Sequence, residues 1–81
     1  MAKFKRLDVR PLLADGREPY TAIRQRVDGL KPGEGVIVVA PFLPSPLIEK
    51  LGSEGFKSRV ERGEEGAWFV YFWRESLEAT V

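Results

Sequence analysis

The sequence contains neither cysteine nor histidine. Without cysteine there are no disulfides, thiolate nucleophiles or zinc–thiolate sites, and without histidine the commonest general base and metal ligand are gone. The chemistry that remains is that of carboxylates, amines and guanidinium groups. We therefore expect a protein that is not an enzyme and that uses no metal and no cofactor.

Long apolar runs are absent as well. No run approaches the ~20 residues that a membrane-spanning helix needs, and the first residues lack the apolar stretch of a secretory signal. A small chain without disulfides must be held together by packing, which suits the reducing cytosol. The expected location is the cytoplasm, with no membrane partner.

The 81 residues are enough for one domain with a shallow core. A composition that is 43% apolar and 31% charged is typical of a folded protein rather than a disordered one. We expect a single domain over residues 1–81, with its core at about 5–74 and a tail at 75–81.

Charge is unevenly distributed along the chain, although the net charge is only +1. Residues 1–31 hold eight Lys or Arg against four Asp or Glu, whereas residues 32–81 hold five against eight. This asymmetry permits an anionic partner for the first part of the chain, but a solvated surface is the commoner explanation.

The first part of the chain predicts a strand followed by a helix. Residues 4–9 alternate in the period of a strand, and residues 11–17, with their proline, aspartate and glycine, predict a loop. Pro19 stands at a favourable first helical position. The helix after it carries an apolar face at spacings of three and four: Tyr20, Ile23, Val27 and Leu30.

A central strand and a second helix come next. Residues 36–40 are apolar and mostly β-branched, as in a strand with neighbours on both sides. Ser45 is placed to cap a helix that begins at Pro46 and that Gly52 and Gly55 end.

The last two strands are expected at residues 56–61 and 67–74, joined by a hairpin turn at 63–66. The final strand is unusual because neither of its sides is polar. One side carries Trp68, Val70 and Phe72, and the other carries Phe69, Tyr71 and Trp73.

The element order is therefore β-α-β-α-β-β, which predicts an α/β protein of the α+β two-layer sandwich type. We expect a mixed four-stranded sheet with both helices on one face. The opposite face of the sheet would then be left uncovered.

Three short motifs resemble the TusA/SirA-like sulfur-carrier superfamily: Leu7-Asp8-Val9-Arg10, Glu18-Pro19 at a helix start, and Pro32-Gly33-Glu34 before an apolar strand. The resemblance spans residues 7 to about 73. It implies that Pro19 matches the second proline of the family's Cys-Pro-x-Pro motif, with Gly16 and Arg17 where the cysteine and the first proline would be. The sulfur-carrying nucleophile is thus missing.

The chain is more similar to an uncharacterised, cysteine-less branch of that superfamily, in which a Pro-x-Pro-Leu segment opens the second helix, here at residues 44–47. Members of that branch often carry acidic and histidine residues just before this segment. Residues 40–43 are Ala-Pro-Phe-Leu instead, so a metal or acid–base role there is not supported. The resemblance implies a fold without a function.

The first candidate site is the start of the first helix, where free N–H groups and the helix dipole favour an anion. The residues concerned are Arg10, Gly16, Arg17, Glu18 and Pro19. The competing explanation is that Glu18 already supplies the negative charge in the first turn and that Arg17 is solvated.

The second candidate site is the uncovered sheet face, with Lys57, Arg59, Phe69, Tyr71 and Trp73. Homodimerisation, a protein partner, or base stacking framed by these cations and Arg10 would each cover it. Nothing matches the RNP1 motif of sheet-face RNA readers, so nucleic acid ranks last. Alternatively, the tail or a long loop covers this face.

Catalysis by carboxylates is the weakest possibility. Asp8, Asp15, Glu18 and Glu34 adjoin loops, but no spacing among them enforces a pair. We expect a non-catalytic domain for protein interaction, including self-association, or for binding a small anion. The alternative is an RNA-binding module that uses the basic residues and the aromatic sheet face.

Overall fold

The four strands form one mixed sheet. A computed structural model describes residues 3–74, and within them β1 is parallel to β2 while β4 runs antiparallel to both β2 and β3, in the spatial order β1-β2-β4-β3. The elements are β1 (Lys3–Asp8), α1 (Arg10–Ala14), α2 (Tyr20–Asp28), β2 (Glu34–Ala40), α3 (Ser45–Ser53), β3 (Lys57–Arg62) and β4 (Trp68–Trp73). A 3-10 turn, Glu64–Gly66, joins β3 to β4.

This arrangement confirms the predicted α+β fold and its mixed four-stranded sheet. The side chains of α2 and α3 pack on the same sheet face, because Ile23 and Leu51 join one buried cluster with Val38, Val70 and Phe72. All the buried side chains among residues 3–74 are apolar. The main buried cluster therefore lies between one face of the sheet and the helices.

Three local predictions were wrong. Residues 11–14 are helical rather than a loop, because Pro11 lies in the first turn of α1, where a missing N–H is harmless, and Leu12 and Leu13 pack against the core. Ser45 is the first residue of α3 and makes no capping hydrogen bond, and Gly52 lies inside that helix. The expected tail at 75–81 lies outside the described residues.

The face of the sheet opposite the helices is called the open face below. Its side chains come from alternate positions of all four strands: Phe4, Arg6, Asp8, Ile37, Val39, Lys57, Arg59, Glu61, Phe69, Tyr71 and Trp73. Gly35 leaves a gap in this surface, because a Cβ there would lie 2.7 Å from the carbonyl oxygen of Phe72 and closer still to the Phe4 ring. Phe4 fills that gap.

Among residues 3–74, the helices are all too short or too polar to cross a membrane.

Candidate functional site

An apolar groove of about 540 Å³ lies between the starts of α2 and α3. It is found where the parallel strands β1 and β2 end, which is the usual position of ligand sites in sheets with parallel strands. We define the apolar groove by its lining residues: Val9, Pro19, Tyr20, Ile23, Val38, Ala40, Phe42, Pro44, Pro46, Leu47 and Lys50.

Prolines explain why the chain leaves this space open. Pro41, Pro44 and Pro46 lack the N–H that a continuing β-ladder would need, so the connection from β2 to α3 leaves the sheet at Ala40. Phe42 in this connection keeps 51% of its surface exposed at the rim of the groove. An exposed aromatic ring thus stands beside an apolar cavity.

Among the described residues that line the groove, only Tyr20 and Lys50 have polar side-chain atoms. Lys50 has no ion pair with any carboxylate of residues 3–74. Glu54, four residues further along the helix, would be its usual partner. Both oxygens of Glu54, however, accept hydrogen bonds from Arg24, at 2.8 and 2.7 Å.

Arg24 joins the two helices that form the walls of the groove. Besides Glu54 of the α3 end, it binds Asp28 one turn along α2, with 2.8 Å between Nη2 and Oδ1. Hydrogen bonds from Arg24 lower the pKa values of Glu54 and Asp28. The same hydrogen bonds raise the pKa of Arg24. We call this set of contacts the Arg24 clamp.

The start of α2 is occupied by the chain's own carboxylate. Glu18 accepts hydrogen bonds from the N–H of Tyr20 and from both the N–H and the hydroxyl of Thr21, the last two at 3.2 and 2.9 Å. Partial desolvation raises the pKa of Glu18, but these hydrogen bonds outweigh it, so the pKa is lowered overall. The N–H groups that an external anion would use are therefore bonded to Glu18 while it is ionised.

The other residues predicted at this anion site are dispersed. Arg10 binds Asp8, with 2.7 Å between Nη2 and Oδ2, and these hydrogen bonds lower the pKa of Asp8. Gly16 adopts a positive φ of 71° and Arg17 is exposed, whereas Pro19 lines the apolar groove. Of the five residues predicted at this anion site, only Pro19 lines the apolar groove.

The model of one family, described as an uncharacterised conserved protein and designated DUF2249, matches residues 6–74. The chain belongs to the DUF2249 family. Neither the curated proteins nor the solved structures contain a significant match to it.

The open face of this DUF2249 domain is filled by its own side chains. Phe4 contacts Tyr71 and Trp73 edge to face, with ring centroids 5.3 and 6.1 Å apart, and the Arg6 guanidinium lies 5.6 Å from the centre of the Phe69 ring. Phe69, Tyr71 and Trp73 are consequently half-buried. The face that the sequence predicts to be uncovered is partly covered by β1.

Polar groups on the open face also bind one another. The Tyr71 hydroxyl donates to Glu61 at 2.9 Å, and Arg59 lies 3.3 Å from the other oxygen of Glu61. A smaller cavity of about 320 Å³ remains among Phe4, Arg59, Glu61, Tyr71 and Trp73. The structure thus brings together Arg59, Tyr71 and Trp73 of the predicted surface, places exposed Lys57 beside Trp73, and sets Phe69 at the far end beside Arg6.

The carboxylates considered for catalysis do not converge in the DUF2249 domain. Asp8 and Glu34 lie at opposite ends of the β1–β2 pair, and Asp15 is exposed after α1. Glu34 accepts a hydrogen bond from the N–H of Lys31 at 2.8 Å, which lowers its pKa. Within residues 3–74 no three acidic side chains are grouped closely enough to hold a metal ion.

The sequence analysis does not single out Phe42, Leu47 and Lys50, which line the apolar groove. The proline-rich segment 41–46 indicates the end of a strand, but it does not by itself indicate a cavity. On the open face, Phe4, Arg6 and Glu61 were missed because their contacts depend on the pairing register of the strands.

Proposed function

We propose that this DUF2249 domain is a non-catalytic binding module, a cysteine-less relative of the sulfur carriers, and that the apolar groove is its binding site. The observation that carries the proposal is the groove itself. Its volume of about 540 Å³ and its apolar lining with few polar groups are typical of small-molecule sites.

The position of the groove supports a relation to the sulfur carriers. Their reactive cysteine corresponds by resemblance to Gly16, in the loop that leads to Pro19 at the wall of the groove. A cysteine-less relative with this geometry would keep the ligand-facing end of the fold and lose the transfer chemistry. The engagement of Asp8, Glu18 and Glu34 in hydrogen bonds within the chain favours binding over catalysis.

The open face supports a nucleic-acid function less well. Stacking of bases needs ring faces that are free to receive them, whereas Phe4 packs edge to face on Tyr71 and Trp73. Glu61 adds a carboxylate at the same place, which repels phosphate groups. These contacts also reduce the apolar area that a second copy or a protein partner would cover.

A neutral apolar fluorophore, N-phenyl-1-naphthylamine, tests the proposal. We expect saturable binding with one probe per chain, and chemical-shift changes confined to the residues of the apolar groove. Phe42→Ser is expected to weaken binding about tenfold, since it removes an apolar contact of about 1.4 kcal/mol.

Leu43→Ser is the matched control, because Leu43 is 40% exposed beside Phe42 but does not line the groove. Both side chains bury about half of their surface, so each substitution is expected to lower stability by about 1 kcal/mol, and binding is compared under conditions where both variants are folded. Absence of saturable binding, or equal losses in the two variants, would contradict the proposal.

A further inference from the structure

We infer that the ligand of the apolar groove is a small amphiphilic carboxylic acid, whose apolar body lies in the groove and whose carboxylate pairs with Lys50. This inference rests on the proposed function and adds the chemical class of the ligand.

The helix geometry of α3 directs Lys50 to the groove. Lys50 follows Pro46 by four residues and Leu47 by three, so the three side chains share one face of the helix. All three line the groove. A lysine that lines an apolar surface commonly lays its aliphatic stem along apolar neighbours and keeps its ammonium group in solvent.

Lys50 forms no ion pair with a carboxylate of residues 3–74. Glu54, which follows the last residue of α3, is held by both oxygens in the Arg24 clamp. Arg10, at the same end of the sheet, is bound to Asp8. Arg17, two residues before Pro19, is exposed and does not line the groove. Lys50 is therefore the cation that the groove itself presents to an anion, and apolar neighbours strengthen its attraction by lowering the local dielectric constant.

The surroundings favour a small molecule over a peptide carboxylate. The floor of the groove is the end of β2, whose backbone is already paired on both sides with β1 and β4. An extended peptide would find no free strand edge of β2 to pair with. The groove offers apolar side chains, the Tyr20 phenol and one cation.

Titration calorimetry of the full chain with octanoate, octanamide and octylammonium tests the inference, at constant ionic strength. In the wild type we expect octanoate to bind roughly tenfold more tightly than octanamide, as for a charge-assisted contact, and octylammonium to bind most weakly. Lys50→Gln is expected to abolish the preference for the acid, and Lys50→Arg to retain it.

Lys31→Gln is the control with the same change in net charge, at an exposed turn outside the groove. Its acid preference is expected to equal that of the wild type. Equal affinities for octanoate and octanamide would overturn the inference and leave the proposed function standing. Failure of all three ligands and of the neutral fluorophore would overturn both.

Analytical sedimentation at the same protein concentrations tests whether a second copy of the chain occupies the groove. A dimer that Phe42→Ser dissociates would mean that a second copy fills the groove, and this result would also overturn the inference.

Discussion

The open face and the apolar groove both carry apolar side chains that the two-layer packing does not bury, but these side chains have different surroundings. On the open face Phe4 covers Gly35, Arg6 lies over Phe69, and Tyr71 donates to Glu61. In the apolar groove no described side chain fills the space as Phe4 does on the open face. The one cation of the groove, Lys50, forms no ion pair with residues 3–74. An apolar pattern alone therefore does not mark a binding site. A better criterion is whether the chain's own side chains cover the apolar surface and pair its charges.

The difference arises from what borders each surface. The open face is bordered by β1, whose regular pairing with β2 brings Phe4 opposite Gly35. The groove is bordered by two connections, 15–19 and 41–44, that contain Pro19, Pro41 and Pro44. Proline donates no hydrogen bond and cannot extend a strand, so these connections cannot close over the groove as a further strand would.

Gly35→Ala is expected to have the largest effect on stability, because it disrupts the packing of Phe4 over Gly35 on the open face. A Cβ at this position would lie 2.7 Å from the Phe72 carbonyl oxygen, which is held in the sheet, and would also displace Phe4. We expect the free energy of unfolding in urea to fall by about 1–3 kcal/mol.

Gly52→Ala in α3 is the control, because nothing lies within 4 Å of the Cβ it adds. It is expected to be neutral or to stabilise the protein by up to about 1 kcal/mol, as for glycine replacement inside a helix. Combining Gly35→Ala with Phe4→Ala separates the two contacts, since only the backbone contact then remains. Equal stability of the Gly35→Ala and Gly52→Ala proteins would show that the open face is not packed as described.

Periodicity and turn residues were sufficient to predict the framework. The spacing of Ile23 and Val27 predicted α2, and the β-branched run at 36–40 predicted β2. Helix α1 escaped prediction because its stability comes from Leu12 and Leu13 packing on the core, a tertiary contact that a five-residue pattern does not reveal.

The apolar groove escaped prediction for a related reason. Its lining comes from residues that are distant in the sequence, such as Val9, Ala40 and Leu47, and their proximity follows from the parallel pairing of β1 with β2. The unpaired state of Lys50 depends on the contact between Arg24 and Glu54, which are thirty residues apart. Local sequence patterns contain neither fact.

Arg24→Gln is expected to have an intermediate effect, confined to the groove side of the molecule. Arg24 lowers the pKa values of Glu54 and Asp28 through hydrogen bonds. A lowered pKa in the folded state means that these carboxylates stabilise the fold above their ordinary pKa values of about 4, and that this contribution is lost as pH falls further. Thermal unfolding at pH 7, 5 and 3 is therefore expected to show a shallower acid dependence in Arg24→Gln than in the wild type.

Arg26→Gln is the matched control for this comparison, because Arg26 is exposed on the same helix and pairs with no carboxylate of residues 3–74. Its acid dependence is expected to follow the wild type. Some acid dependence is expected to persist in Arg24→Gln, since Asp8 and Glu34 also have lowered pKa values. Identical profiles for Arg24→Gln and Arg26→Gln would mean that the Arg24 clamp does not form.

The smallest expected effect is a change in the ionisation of Tyr71, which reports on the open face alone. The hydrogen bond to Glu61 raises the pKa of the Tyr71 phenol, because loss of the proton would set two negative charges side by side. Glu61→Gln is expected to return that pKa toward the ordinary value of about 10. Phenolate absorbance in a Tyr20→Phe background isolates Tyr71, since the chain has two tyrosines. Lys50→Gln leaves the open face unchanged and is expected to leave this titration unchanged too. If Glu61→Gln did not change the pKa of Tyr71, the polar groups of the open face would not bind one another as described, and the distinction between the two surfaces would be lost.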